Sequence, residues 1–153
     1  MEKEEGMEKE AQLSEERREG LYQKVKNMTV AEKVKLATFG NKEVRSILIR
    51  DANRVVQVAV IKNPRITDQE IEMIASSKTV DDEVLRLISE NKEWLKNYNI
   101  KIALVKNPKT PLRTSLKFIT HLREKDLKDL MNDKNIPNPL KMAARRLYEE
   151  RKA

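Results

Sequence analysis

A seven-residue segment that closes on an asparagine-proline stop occurs twice in this chain, and it restricts the fold more than any other feature. Ala59-Val60-Ile61-Lys62-Asn63-Pro64-Arg65 returns as Ala103-Leu104-Val105-Lys106-Asn107-Pro108-Lys109, displaced by 44 positions. A proline ring clashes with the α conformation of the residue before it, so the apolar helix leading into each copy must end at Asn63 and again at Asn107. Two looser echoes accompany this one. Ile71, Ile74, Lys78, Val80 and Val84 recur as Leu127, Leu130, Lys134, Ile136 and Leu140, 56 positions on, and Leu36-Ala37-Thr38 aligns with Ile74-Ala75-Ser76.

Helix start signals fall between these stops. Thr29 with Glu32 and Thr67 with Glu70 have the spacing of a capping box, in which the threonine hydroxyl accepts an amide of the first turn and the glutamate returns to the cap amide. Gly40 suits the left-handed residue after a helix end, and Asn41 caps the helix bearing Val44, Ile47 and Leu48. Asp51 or Asn53 caps Val55 to Lys62. Asp81 and Asp82 favour the positive end of a helix carrying Val84, Leu85, Leu87 and Ile88. Asn91 opens a longer helix through Val105, Thr110-Pro111 opens one to Leu122, another fits Glu124 to Asn132, and Pro137 and Pro139 introduce the last. Ser14 caps a first helix to Met28, whereas residues 1–13, rich in Glu and Lys with little to bury, read as a frayed helix or disordered tail.

The resulting expectation is an all-α chain of nine or ten short helices, with residues 29–153 forming one helical-repeat domain, the alternative being an irregular helical bundle. Only three glycines and five prolines, with 37% charged residues, agree with that class. At 100° per residue Trp94, Leu95, Tyr98, Ile102 and Val105 share one face, and Ile100 and Leu104 another, so the helix needs neighbours on two sides, as in a stack. The paired segments, with Ala-Ala-Arg-Arg-Leu at 143–147, resemble HEAT and armadillo repeats over roughly residues 29–150. That likeness implies an irregular α-solenoid that binds a partner. Lys-Asn-Pro-Arg-Ile-Thr at 62–67 and Leu-Arg-Glu-Lys-Asp-Leu at 122–127 also resemble a little-characterised bacterial family of short helical-repeat proteins, a likeness that implies no activity.

Catalytic and cofactor chemistry finds little to stand on. Without cysteine there is neither a disulfide framework nor a thiolate metal site, and the one histidine, His121, follows Phe118 on a helix where a structural role is expected. The glycines are too scattered for a phosphate loop. Asp81, Asp82 and Glu83 are explained by a helix start rather than a metal site. No catalytic residue, metal ligand, cofactor or small-molecule substrate is therefore expected. The most apolar window, Val55 to Ile61, is too short to span a bilayer, so the chain is expected in the cytoplasm without membrane insertion.

Charge supplies the functional expectation. Residues 1–20 hold eight acids against four bases, net −4, and the rest of the chain 17 acids against 28 bases, net +11. Between Glu93 and Glu124 stand seven bases, Lys96, Lys101, Lys106, Lys109, Arg113, Lys117 and Arg123, and no acid. Such a run suits a basic surface offered to an acidic protein partner by a non-enzymatic scaffold. The alternative is sequence-independent nucleic-acid binding through phosphate contacts, and the bland reading is a solvated surface. Trp94 and Tyr98 could serve as stacking platforms for single strands, although their shared face with Ile102 and Val105 points to the core.

Overall fold

The computed structural model describes residues 1–153 and contains eleven α-helices, one 3-10 turn and no strand. The chain divides into two compact units, Met1–Arg65 and Ile66–Ala153, a boundary that falls at the first asparagine-proline stop and inside the stretch expected to be one domain. The first unit holds α1 (Glu2–Lys26), α2 (Val30–Phe39), α3 (Lys42–Leu48) and α4 (Arg54–Ile61). The second holds α5 (Asp68–Ala75), α6 (Asp82–Glu90), α7 (Lys92–Leu95), α8 (Tyr98–Lys106), α9 (Leu112–Phe118), the 3-10 turn Ile119–His121, α10 (Glu124–Met131) and α11 (Asn138–Lys152).

Side-chain caps set where these short helices begin. Thr29, Asn41, Asn53, Thr67, Asp81, Asn91 and Asn97 each accept a backbone N–H of the following turn. Each cap satisfies a donor that the helix itself cannot, which stabilises a helix start by about 0.5–2 kcal/mol. Thr67 and Glu70 complete a reciprocal box, the glutamate accepting the Thr67 N–H at 2.7 Å. Glu32 instead accepts the Thr29 hydroxyl at 3.1 Å. At the fourth helix Asn53 is the cap, and Asp51 turns away to pair with Lys33 at 2.7 Å.

In both units the asparagine of the Asn-Pro stop is buried and reaches back to an earlier helix end. Asn63 Nδ2 donates to the carbonyls of Ala37 and Gly40, each at 2.9 Å, closing the end of α2. Asn107 Nδ2 donates to Ala75 and Ser77 at 2.8 and 2.7 Å, closing the end of α5. The Oδ1 of each accepts the N–H two residues on, Arg65 at 2.9 Å and Lys109 at 3.0 Å, so the turn around the proline is fixed as well. Asn63 and Asn107 are 2% and 4% exposed, and with all their donors in use neither carries the penalty of a buried unpaired amide.

The same bonds explain the unequal repeat offsets. Asn63 lies 26 residues beyond Ala37, and Asn107 lies 32 beyond Ala75. The six extra residues accommodate α7 and its turn, inserted between α6 and α8 while the α5–α8 packing is kept. The 56-residue echo is likewise one of burial: Ile71, Ile74, Val80 and Val84, and their counterparts Leu127, Leu130, Ile136 and Leu140, are all in the core.

Several local expectations are corrected. The helix expected over Asn91–Val105 is two, because the Asn97 carboxamide accepts the Asn99 N–H at 3.0 Å and starts α8 afresh, which brings the count to eleven. The break removes Trp94 and Leu95 from the phase of α8. Ile100, Ala103, Leu104 and Val105 form the buried face, while Trp94, Leu95, Tyr98 and Ile102 are half-buried. Gly40 is extended rather than left-handed, with φ −71°. Its small size has a steric reason, since a Cβ there would stand 2.5 Å from the Leu36 carbonyl oxygen and from Val44 Cγ1. Thr110 is buried and does not cap; Pro111 occupies that position of α9. The first helix begins at Glu2, not Ser14, so residues 2–13 belong to one helix with the rest of α1, and every residue through 20 is exposed.

Replacing Asn107 by alanine strands the carbonyls of Ala75 and Ser77 and is expected to lower the unfolding free energy by about 2–4 kcal/mol; replacing Asn63 strands that of Ala37, while Gly40 keeps the Arg45 guanidinium at 2.9 Å, and is expected to cost about 1–3 kcal/mol. Asn132→Ala, at an exposed site, should change it by under about 0.5 kcal/mol in the same urea titrations. A second expectation concerns acid. Burial acts to raise the Asp51 carboxyl, but the hydrogen bond from Lys33, the Asn53 N–H and the Lys33 charge together hold it below its ordinary value. A depressed folded value contributes stability above the ordinary carboxylate range that is lost as pH falls from there through the folded value. Asp51→Asn should therefore flatten part of the acid limb in unfolding free energies measured across that window.

Candidate partner-binding surface

The acid-free run spans the end of α7, α8, α9 and the turn leading to α10, and four hydrogen bonds made by Tyr98 and Arg151 hold its far end. Tyr98, at the start of α8, donates its hydroxyl to Asp126 of α10 at 2.5 Å and accepts the Arg123 N–H at 2.8 Å. Burial lifts the Tyr98 phenol above its ordinary value; the Arg123 N–H opposes this and the Asp126 carboxylate adds to it. From α11, Arg151 donates to the carbonyls of Leu122 and, at 2.7 Å, Thr120, which fixes the backbone on both sides of His121.

Within this frame the seven expected bases meet different fates. Lys96 pairs with Glu93 at 3.1 Å, just outside the run. Lys109 is a tether, its ammonium donating to the Val80 carbonyl at 2.5 Å and lying 3.7 Å from Asp82. Arg123 lays its guanidinium over the Tyr98 ring, 4.3 Å from the centroid, an attraction between a cation and the negative face of the ring. Lys106 lines a shallow groove with Glu72, Ser76, Lys78 and Asn99. The run is therefore not one patch.

What remains is a compact row. Arg113 and Lys117 sit four residues apart on α9, and His121 follows at the same interval on the 3-10 turn. All three are exposed. Lys101, half-buried on the neighbouring α8, places Nζ 3.3 Å from His121 Nδ1 and so joins the row at its end. Residues four apart on an α-helix lie about 6 Å from each other along its axis, so Arg113 and Lys117 present two neighbouring positive groups, with the exposed His121 following on the 3-10 turn. His121 is a member that the count of lysines and arginines misses; its spacing from Lys117 is the signal that would have included it.

The other sequence candidates are absorbed by structure. Asp81 caps α6 by accepting the Glu83 N–H at 2.9 Å, and Glu83 holds Arg86 at 2.5 Å. Trp94 is half-buried, and one face of the half-buried Tyr98 ring is covered by Arg123. No helix is long and apolar enough to cross a membrane. No protein-family model, curated protein or solved structure matches the chain.

The division between tethering and free side chains is measurable. Tyr98→Phe, which removes a hydroxyl bonded on both sides, should destabilise the protein by about 1–3 kcal/mol in thermal or urea unfolding. Lys117→Ala, at an exposed position, should stay within about 0.5 kcal/mol of wild type.

Proposed function

We propose that the chain is a non-enzymatic, cytoplasmic interaction module of the HEAT-like helical-repeat kind, whose second unit presents a basic row to an acidic protein partner. The observation that carries this reading is the row itself: Arg113 and Lys117 exposed four residues apart on α9, His121 exposed on the turn that follows with Lys101 against it, and no acid in the sequence from residue 94 to residue 123. Neighbouring cations repel one another, so the arrangement adds nothing to folding and gains only when an anionic surface lies against it. The hydrogen bonds of Tyr98 and Arg151 fix the backbone at the far end of the row before a partner arrives, which reduces the ordering cost of binding.

Exposed ion pairs contribute about 0.2–1 kcal/mol each, so a partner that engages three or four of these groups binds in a salt-dependent way. Arg113→Glu with Lys117→Glu should weaken the interaction about tenfold or more, since two attractions become two repulsions. The test is affinity capture with the tagged full chain, with and without nuclease and at rising salt. A stoichiometric acidic protein that survives nuclease and is lost with the double reversal supports the proposal. Recovery that depends on nucleic acid would replace it with phosphate binding, and capture indifferent to the reversal would remove the row from the account.

A further inference from the structure

The chain carries its own acidic counterpart to the basic row. On α1, Glu4, Glu8, Glu15 and Glu19 fall within about 60° of one another around the helix axis, and Glu5 and Glu16 extend the same side. Lys9 and Arg18 border this arc, and Tyr22 and Lys26 end it near the helix C-terminus. Glu15 and Glu19 also line a shallow groove with Arg50 of the turn after α3, yet both remain exposed. The one buried residue of the helix is Val25 near its end, so Glu4 stands about 30 Å along the axis from that anchorage. Residues 1–20 are exposed throughout, so the acidic arc is not covered by its own chain.

We propose that the acidic face of α1 docks on the Arg113–Lys117–His121 row of a second copy, so that the chain associates head to tail with itself. The inference rests on the proposed reading of that row as a site for an acidic protein surface, and it names the surface. Two features carry it. The net −4 of residues 1–20 meets the acid-free run of 94–123, opposite charges held on separate exposed helices of one sequence. The spacing also matches, because Glu4 and Glu8, like Glu15 and Glu19, are four residues apart, as are Arg113 and Lys117, so two helices laid side by side bring opposite charges together at the same ~6 Å interval. Each copy offers one acidic helix and one basic row, a heterologous contact that can continue from copy to copy. The contacts are exposed ion pairs, so association is weak and yields to salt.

Sedimentation velocity of the full chain tests this across a wide concentration range at about 50 mM and about 500 mM salt. The expected result is a sedimentation coefficient that rises with concentration at low salt and is flat at high salt. Glu4→Lys with Glu8→Lys should abolish the rise, and so should Arg113→Glu with Lys117→Glu. Mixing the two double variants should restore it, because each then offers the other two matched surfaces, a rescue that neither misfolding nor docking within one chain can produce. A wild-type coefficient independent of concentration, or a rise that survives either reversal or is not rescued by mixing, overturns the inference. Titration with a poly-glutamate peptide keeps the two proposals apart. Binding that needs Arg113 and Lys117 in a protein that never self-associates leaves the acidic-partner reading standing alone, and absence of both removes both.

Discussion

A buried carboxamide at each asparagine-proline stop is the interaction on which the rest of the fold depends. Helices of seven to ten residues are too short to stand alone, since forming the first turn is costly and little length remains to recover that cost. Their ends therefore matter as much as their faces. At Asn63 and Asn107 one side chain donates to two carbonyls of a helix end far back in sequence and accepts the N–H beyond the proline. Proline alone would only stop a helix. The asparagine before it decides which earlier helix end the stop is held against.

Fixing the two ends leaves the segment between them free to vary in length. In the first unit that segment holds α3, and in the second it holds α6 and α7, yet α2 packs on α4 as α5 packs on α8. The consequence for the surface is direct. Asn107 pins the end of α8, Lys109 is drawn back to Val80, and the chain turns into α9, which carries Arg113 and Lys117 into solvent. Tyr98 and Arg151 then fix the far end of the row, so the cations that bind nothing within the chain are positioned by polar groups that do.

Much of this architecture is legible from sequence because it is written in local chemistry. Thr29, Asn41 and Thr67 cap where their spacing to the following turn predicts, Asp81 and Asp82 stand at a helix start as their charge predicts, and the pairs Ile71/Leu127 and Val84/Leu140 are buried as their recurrence predicts. Expectations failed where a residue had two local uses. Asn97 lies in an apolar pattern that runs on as a helix, yet its carboxamide restarts one; Thr110 precedes a proline as a cap does, yet it is buried. Gly40 is small because Val44 and the Leu36 carbonyl crowd it, a tertiary reason invisible to a rule about helix ends. The basic run was legible as charge and not as surface: whether a lysine is free or tied, as Lys109 is to Val80, depends on a carbonyl 29 residues away.

The most direct test of the central claim reads the two carboxamides themselves. Side-chain amide protons of asparagine exchange rapidly with solvent when free and slowly when bonded in a dry interior. In ¹⁵N-labelled full chain, the Nδ2 protons of Asn63 and Asn107 are predicted to exchange orders of magnitude more slowly than those of the exposed Asn135 and Asn138. Exchange of Asn63 and Asn107 at the rate of those surface residues would show that neither side chain holds a helix end, and the account built on them would fail.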